Sequence, residues 1–306
     1  MIYQDTRRAL GTDCLITINS KDEKKTKKFF NNLWSVVEVF EARYSRFIKS
    51  SELSYININA GSDIEISKEL KDILDKAIEY SKATDGLYNP FILPLLQSVG
   101  YKGSWPNPNI FDEDLDFSTR KIKDINKLKI VKNKLTIPKD SALDLGGIGK
   151  GYLLDKLSKI LENEFDGYWI SLGGDIVADG FQEADHSWKI FIESGTNEEI
   201  SSYVDNKGKY LAIATSGTNR RSTNTWNHII NPKTEASSES DILTATVVCP
   251  DPIKADILAS CFLLLKSNQA KDFASKFKID VYLQKNYSTE NSKNVIYLGN
   301  RGTFKP

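Results

Sequence analysis

The segment Leu143-Asp144-Leu145-Gly146-Gly147-Ile148-Gly149-Lys150-Gly151-Tyr152 places four glycines within six residues, with an acidic residue before them and a lysine among them. A helical pattern follows, from Tyr152 to Leu161. Glycine lets a ligand approach the backbone closely, and the start of a helix favours phosphate groups. The segment therefore predicts a turn between a strand and a helix. It either holds an anionic ligand or is a tight turn without one.

The common phosphate-binding motifs do not match this segment. A P-loop requires glycine six residues before its lysine and a Ser or Thr directly after it. Here Asp144 occupies the first of these positions and Gly151 the second. The dinucleotide fingerprint G-x-G-x-x-G is also absent. The pattern by itself leaves the ligand open.

Composition excludes several classes of protein. The 306 residues are 40% hydrophobic, which is enough for a sizeable core, and 41 basic residues balance 41 acidic ones. This balance argues against a nucleic-acid-binding surface, so we expect no nucleic acid partner. The apolar run Ile257–Leu265 is too short to cross a bilayer, and residues 1–7 have no apolar core, so we expect neither a membrane span nor a signal peptide in this chain. The cysteines show no metal-binding spacing and are expected to be buried: Cys14, Cys249 and Cys261.

Hydrophobic periodicity predicts an α+β fold rather than a doubly wound sheet, because several strands follow one another without intervening helices. We found no repeat or linker, so we expect one domain over residues 1–306. The predicted helices are 21–43, 67–83, 152–161, 250–265 and 270–277. The predicted strands are 12–18, 168–178, 188–192, 203–204, 210–215, 228–230, 244–249, 281–283 and 295–298. Residues 109–135 are polar and predict a surface excursion with short strands.

Asp256 and Ser260 are four residues apart on a predicted helix, so their oxygens face the same way. Their neighbours are apolar, and a buried carboxylate without a partner is unfavourable. Hard oxygen ligands suit Mg²⁺, which commonly takes one or two carboxylates and completes its coordination with water and phosphate. The alternative is an aspartate of the first helical turn, stabilised by the helix dipole. The pattern leaves both interpretations open.

The chain has two histidines. His186 lies in a polar loop and is expected at the surface. His228 lies in a predicted strand that leads into the turn at Asn231-Pro232. Strand ends commonly carry functional side chains, but a structural, hydrogen-bonded histidine is at least as common. No Ser/His/Asp triad order is present.

Eight motifs resemble, in order and spacing, those of the FAD:protein FMN transferase family, the ApbE flavin transferases. The resemblance runs from about residue 9 to residue 283. The motifs are Ala9-Leu10-Gly11-Thr12, Tyr44-Ser45-Arg46-Phe47 followed by Ser51-Glu52-Leu53 and Asn57, Thr84-Asp85-Gly86-Leu87-Tyr88-Asn89-Pro90 with Pro94-Leu95, the segment from Asp144 to Asp155, Leu172-Gly173-Gly174-Asp175, Thr215-Ser216-Gly217, His228-Ile229-Ile230-Asn231-Pro232-Lys233-Thr234, and Ala255-Asp256 through Ser260.

The resemblance implies a single domain related to the T-fold, with mixed, largely antiparallel sheets flanked by helices. It implies Mg²⁺-dependent transfer of FMN from FAD to a Thr or Ser of a target flavoprotein, with release of AMP. FAD would be contacted by Leu10, Phe47, Leu87, Tyr88, Asn89, Asp144, Lys150 and His228. His228 would also accept the proton of the attacking hydroxyl. Mg²⁺ would be held by the Gly147 carbonyl, Asp256 and Ser260.

Four positions depart from the family pattern. Asn89 and Asn231 replace aspartates, Glu235 replaces a glycine, and Ser260 replaces a threonine. Two further functions fit the same residues. One is a flavin-binding protein that stores or delivers FAD, and the other is a Mg²⁺-dependent FAD pyrophosphatase that yields FMN and AMP. Lys150, Asp256 and His228 argue against a protein that only binds FAD. They do not separate hydrolysis from transfer, because attack by water and attack by a threonine hydroxyl need the same electrostatic stabilisation.

Overall fold

The computed structural model describes residues 1–104, 107, 110–196, 199–218, 227–285, 294–300 and 302–305. Short 3₁₀ helices occur at Pro90–Ile92, Glu113–Leu115 and Ile125–Lys127. Within the described ranges, no helix is long and apolar enough to cross a membrane. The α-helices there are α1 (Glu23–Tyr44), α2 (Glu52–Ile58), α3 (Lys68–Ala83), α4 (Leu93–Ser98), α5 (Gly149–Leu161), α6 (Pro252–Phe262) and α7 (Ala270–Phe277).

Several strands of the described ranges follow one another between groups of helices, as in an α+β fold. They are β1 (Ile2–Ala9), β2 (Thr12–Asn19), β3 (Ile64–Glu65), β4 (Lys129–Val131), β5 (Lys134–Thr136), β6 (Gly167–Leu172), β7 (Asp175–Glu183), β8 (His186–Ser187), β9 (Lys189–Glu193), β10 (Ile200–Asp205), β11 (Gly208–Gly217), β12 (Ile230–Asn231), β13 (Ala236–Ser237), β14 (Ile242–Cys249), β15 (Asp280–Lys285), β16 (Val295–Leu298) and β17 (Phe304–Lys305).

The chain divides into two compact units, each formed by separate stretches of sequence. Unit 1 comprises residues 1–37, 150–220 and 239–306, and unit 2 comprises residues 38–149 and 221–238. The single domain expected over residues 1–306 stays a prediction.

Unit 1 is built on a large sheet whose described strands follow the order β1-β2-β6-β7-β11-β14-β15-β16, with β8 beside β7. Helix α6 packs on β11 and β14. Nine of its eleven residues are buried, which explains why its sequence is apolar nearly all round. The free cysteines Cys14, Cys249 and Cys261 are buried in this unit, as expected. Burial raises the pKa of the Cys249 thiol to about 11, so at neutral pH it remains an inert thiol.

Unit 2 contains α2, α3, α4 and two small sheets, β3-β5-β4 and β12-β13. Ser67 caps α3 by accepting a hydrogen bond from the Leu70 amide, which fixes the start of that helix. Residues 110–135 form 3₁₀ turns and two short strands, as expected of this stretch, but they also bury Leu115 and Phe117. Residue 109 lies outside the described residues.

The α+β prediction is confirmed, with corrections. All strand pairings in the described ranges are antiparallel, so no parallel pairing of a mixed sheet is found there. The predicted strand 168–178 is a hairpin, because Gly173 and Gly174 adopt positive φ and turn the chain between β6 and β7. The helix predicted over 250–265 is shorter, since Asp251 caps it and it ends at Phe262.

Asn57 of α2 is fully buried and secures the segment that precedes the glycine loop. Its amide nitrogen donates to the Leu143 carbonyl at 2.9 Å, and its amide oxygen accepts from the Leu143 amide at 2.7 Å. The asparagine therefore satisfies both main-chain groups of a buried residue in place of a neighbouring strand. This pairing gives a structural reason for the asparagine of the second motif.

We predict that Asn57→Ala lowers the free energy of unfolding by about 2–4 kcal/mol, because two buried main-chain groups lose their partners. Asn59→Ala is the matched control. The Asn59 side chain makes only a solvent-exposed hydrogen bond to the Tyr55 carbonyl, so its loss should cost about 0.5 kcal/mol or less. Urea denaturation measures both values. Equal losses would contradict the structural role of Asn57.

Candidate functional site

The glycine-rich segment begins as buried extended chain, turns at residues 146–148 and enters α5 at Gly149. The helix thus starts three residues before the predicted Tyr152. The reason is a pair of main-chain bonds, from the amides of Ile148 and Gly149 to the Leu145 carbonyl, which begin the helical path inside the glycines. The predicted turn and helix are confirmed, with the start of the helix misplaced. The predicted strand before them is wrong, because residues 141–145 are extended chain that belongs to no strand.

Gly151 lets the first turn of α5 lie directly against α6. A Cβ atom at this position would come within 2.5 Å of the Pro252 carbonyl oxygen and 2.9 Å of the Asp256 Cβ. The Gly151 amide donates to Asp256 Oδ2 at 2.9 Å. The close approach of the two helices therefore depends on the missing side chain at Gly151.

Lys150, Asp175 and Asp256 form one buried ionic cluster in unit 1, called here the Lys150 cluster. The Lys150 ammonium contacts Asp175 Oδ2 and lies 3.5 Å from Asp256 Oδ1. Both aspartates are almost fully buried. Burial raises the pKa of Asp175 to about 6; the Lys150 charge opposes this rise and the Asp256 charge adds to it. The cluster thus holds two carboxylates against a single ammonium.

The placement of Asp256 speaks against the first-turn alternative. Asp251 is the N-cap of α6, and Asp256 is the fifth helical residue, beyond the first turn. Its two oxygens face Gly151 and Lys150 rather than the amides at the start of its own helix. Its burial is therefore compensated by groups from α5.

Oxygen atoms suited to Mg²⁺ occur in this cluster and one helical turn further along α6. Asp256 and Ser260 lie on α6 as predicted, and Ser260 Oγ is 3.0 Å from Ser216 Oγ at the end of β11. Two carboxylates and neighbouring hydroxyls fit the hard-oxygen preference of Mg²⁺, which leaves part of its coordination to water and phosphate. No group of three or more His, Cys, Asp or Glu side chains suited to a metal occurs in the ranges the structure describes. Gly147, the third predicted ligand, belongs to unit 2.

Arg46 contacts two of the predicted flavin-contacting residues of unit 2, Phe47 and Asp144. Its Nε lies 2.9 Å from Asp144 Oδ2, and both side chains are buried. Its guanidinium lies 4.2 Å from the ring centre of Phe47 and 4.8 Å from that of Tyr101, and donates to the Tyr101 carbonyl at 3.0 Å. Asp144 also accepts from the Gly146 amide at 2.8 Å. One buried cation therefore fixes an acid and two aromatic rings.

His228 lies in a bend before β12, not in the strand predicted for residues 228–230. The strand is only two residues long because Asn227 accepts a hydrogen bond from the Ile229 amide and turns the chain there. The His228 ring packs edge-on against Tyr101, with 6.4 Å between ring centres. His228, Phe47 and Asp144 are thus connected within unit 2 through Tyr101 and Arg46. His186 is exposed, as expected.

Leu87, Tyr88 and Asn89 connect α3 to the 3₁₀ helix at Pro90–Ile92. The Tyr88 amide donates to Thr84 Oγ1 at 3.1 Å, which closes the turn after α3. The Tyr88 ring borders Gly147, where an added Cβ would lie 3.4 Å from it. Three of the predicted cofactor-binding residues thus share one short connection in unit 2.

Leu10 occupies the tight turn between β1 and β2, and both Leu10 and Gly11 have positive φ. A leucine in this conformation is strained, since left-handed backbone favours glycine. Leu10, Lys150, Asp256 and Ser260 belong to unit 1, and the remaining predicted site residues belong to unit 2.

Three of the four departures have local structural explanations. Asn89 Nδ2 donates to the Lys123 carbonyl at 2.9 Å, a bond that an aspartate cannot make. Asn231 Oδ1 accepts from the Lys233 amide, as an aspartate also would. Glu235 has a φ of 56°, so the backbone keeps the left-handed turn that glycine prefers, at a cost of about 1–2 kcal/mol.

Sequence reasoning missed Arg46, Tyr101 and Asp175. Asp175 and Arg46 lie within two of the motifs, but no spacing rule relates Asp175 to Lys150, 25 residues away, or Arg46 to Asp144, 98 residues away. Tyr101 lies in no motif. Proximity in the folded chain is what identifies all three.

A family model described as the ApbE family matches residues 10–283 of this chain. Among similar proteins, a FAD:protein FMN transferase of Haemophilus influenzae is 27% identical over 276 residues, covering 84% of this chain and 78% of the relative. One of Escherichia coli K12 is 23% identical over 291 residues, covering 90% and 82%.

Solved structures share the fold over nearly the whole chain. The flavin transferase ApbE of Vibrio cholerae superimposes with a TM-score of 0.82 at 23% identity, covering 97% of both chains. The ApbE protein of Thermotoga maritima gives the same TM-score and coverage at 20% identity.

We predict that Arg46→Met lowers the free energy of unfolding by about 3–5 kcal/mol, because it leaves the Asp144 carboxylate buried without its cation. Arg43→Met is the control. Arg43 pairs with Glu52 and Glu69 but is more exposed, so its removal should cost about 1 kcal/mol or less. Denaturant unfolding at pH 7 checks both, and a smaller loss for Arg46→Met than for Arg43→Met would contradict the assignment.

Proposed function

This chain belongs to the ApbE family, and from that membership we propose that it is a FAD:protein FMN transferase. It would move FMN from FAD to the hydroxyl of a Thr or Ser in a target flavoprotein and release AMP, in a Mg²⁺-dependent reaction. The observation that carries the proposal is the Lys150 cluster, which places a lysine at the start of α5 beside the buried carboxylates of Asp175 and Asp256. The names of the similar proteins support the choice of substrate.

Phosphoryl transfer needs charge neutralisation and in-line placement more than covalent chemistry from the protein. In the proposed reaction the hydroxyl oxygen bonds to the phosphorus of the FMN half. The bond from that phosphorus to the bridging oxygen breaks, and AMP leaves with this oxygen. Mg²⁺ would supply positive charge to the pyrophosphate. Asp256 and Ser260 would hold it, and the resemblance adds the Gly147 carbonyl as a further ligand.

The other predicted residues take roles that their chemistry supports. Lys150 would contact the phosphates with its ammonium group. Leu10, Phe47, Leu87, Tyr88, Asn89 and Asp144 would contact FAD. Phe47 and Tyr88 offer flat surfaces suited to stacking on rings. Arg46 would keep Phe47 and Asp144 in place, because it contacts both.

His228 would accept the proton that leaves the attacking hydroxyl. Imidazole titrates near neutral pH, so it takes up a proton at the moment of attack without carrying a permanent charge. The edge-on contact with Tyr101 restrains the His228 ring, and a restrained base loses less orientational freedom on reaching the reactive geometry.

Transfer is expected when the protein is incubated with FAD, Mg²⁺ and a flavin-acceptor domain. Intact-mass spectrometry should show the acceptor gaining one FMN moiety, with AMP released in equal amount. A chelator should abolish both signals. Free FMN and AMP with an unmodified acceptor would establish the pyrophosphatase instead, and bound FAD without AMP would establish a storage protein.

We predict that His228→Ala retains FAD binding but slows transfer by about 10²–10⁴-fold, the usual contribution of a general base. His186→Ala should change little, because that side chain lies at the surface and contacts only the Ala184 carbonyl. Single-turnover rates at saturating FAD, measured across pH, decide the role. Full recovery of the His228→Ala rate at saturating FAD would remove the residue from catalysis and leave it a binding role.

A further inference from the structure

The Lys150 cluster is a candidate for more than phosphate contact. Its two carboxylates carry two negative charges when ionised, and its ammonium carries one positive charge. The Asp175 and Asp256 side chains are each 5% exposed, whereas the Lys150 side chain is 25% exposed. The cluster therefore combines two immobile buried acids with a longer, partly accessible cation.

Main-chain donors fix the far sides of both acids. Asp175 Oδ1 accepts from the Thr215 amide at 3.2 Å, and Asp256 Oδ2 accepts from the Gly151 amide at 2.9 Å. The other oxygen of each carboxylate faces the Lys150 ammonium. The main-chain amides thus hold the two acids in position independently of Lys150. The ammonium occupies the space between the two remaining carboxylate oxygens.

From this arrangement we propose that Lys150 is a tethered counter-ion that a divalent cation displaces, and that Asp175 is a second carboxylate ligand of that cation beside Asp256. The proposal deepens the proposed function, on which it rests for the identity of the cation as Mg²⁺. Displacement leaves the Lys150 ammonium available to an anionic phosphate of the substrate.

Charge and geometry favour this exchange. One ammonium leaves the two acids with a net charge of −1, whereas a divalent cation neutralises them, and the advantage of neutrality grows in a buried environment. A site with one or two carboxylates is what Mg²⁺ commonly occupies. A lysine ammonium can be displaced from such a position, because it lies at the end of a flexible four-carbon side chain. Ser260, one helical turn after Asp256, supplies a nearby hydroxyl.

Lys150→Met separates displacement from simple phosphate contact. Without FAD, a lysine that only contacts phosphate affects Mg²⁺ binding solely through charge repulsion, which added salt weakens, so the titrations are made at raised salt. A lysine that fills the cation position nine-tenths of the time weakens the apparent affinity for Mg²⁺ about tenfold, and its removal restores that factor. We therefore expect Lys150→Met to bind Mg²⁺ about tenfold more tightly than the unmodified protein. It should also melt at a lower temperature without the metal and show a larger stabilisation by Mg²⁺.

Isothermal titration of Mg²⁺ into FAD-free protein, together with thermal melting, provides these values. Lys159→Met is the matched control, since Lys159 lies on the same helix and pairs with Asp155 at the surface; it should leave Mg²⁺ affinity unchanged. Equal or weaker Mg²⁺ affinity in Lys150→Met, or no detectable binding, would overturn the proposal.

The role of Asp175 has its own test. Asp175→Asn should weaken Mg²⁺ binding about tenfold or more, while Asp179→Asn on the same strand β7 should not. If Asp175→Asn fails to fold, the Lys150→Met/Asp175→Asn double variant replaces it. The double variant should bind Mg²⁺ more weakly than Lys150→Met alone. Equal Mg²⁺ affinity of these two variants would remove Asp175 from the site. These titrations contain neither FAD nor acceptor, so a failure of flavin transfer would overturn the proposed function without deciding the displacement.

Discussion

The close packing of α5 on α6 at Gly151 is the constraint on which the arrangement of unit 1 depends. Because a side chain there would collide with the Pro252 carbonyl, only glycine lets the Gly151 amide reach Asp256. The same approach brings the preceding residue, Lys150, beside Asp175 and Asp256. The sequence offered a ligand-holding loop and a tight turn as alternatives. The structure shows a tight turn that also assembles the charged groups, and the anionic ligand stays a prediction.

Unit 2 also contains a buried acid that is paired with a basic side chain. A buried carboxylate, Asp144, is compensated by a buried cation, Arg46, and the guanidinium also packs on Phe47 and Tyr101. A planar guanidinium does this where a lysine does not, since it donates in a fixed fork and stacks on rings. Each unit thus contains an acid whose burial depends on one basic side chain. In unit 1 that side chain is the flexible and partly exposed lysine, and in unit 2 it is the fixed and buried arginine.

Elements with strong periodicity were predictable from the sequence, and the charged contacts were not. Helix α7 was placed to the residue and α3 to within one, because regular apolar spacing marks them. Strand β1 was missed because it is a polar strand at the sheet edge without a buried residue, and two-residue strands such as β12 leave no periodic signal. Asp256 and Ser260 were found because helical spacing relates them. Lys150 and Asp175 lie on different elements, and only the fold brings them together.

The departures from the family pattern show how a local structure persists after its usual residue is lost. Glu235 retains a left-handed turn at a steric cost, so the turn geometry is imposed by the β12–β13 hairpin around it rather than by the residue. Asn89 uses its amide to hold the Lys123 carbonyl, and therefore exchanges a negative charge for a structural bond. Ser260 keeps a hydroxyl and pairs it with Ser216. Asn231 likewise accepts from the Lys233 amide, so at both asparagines the local turn of unit 2 is held by hydrogen bonds and needs no negative charge.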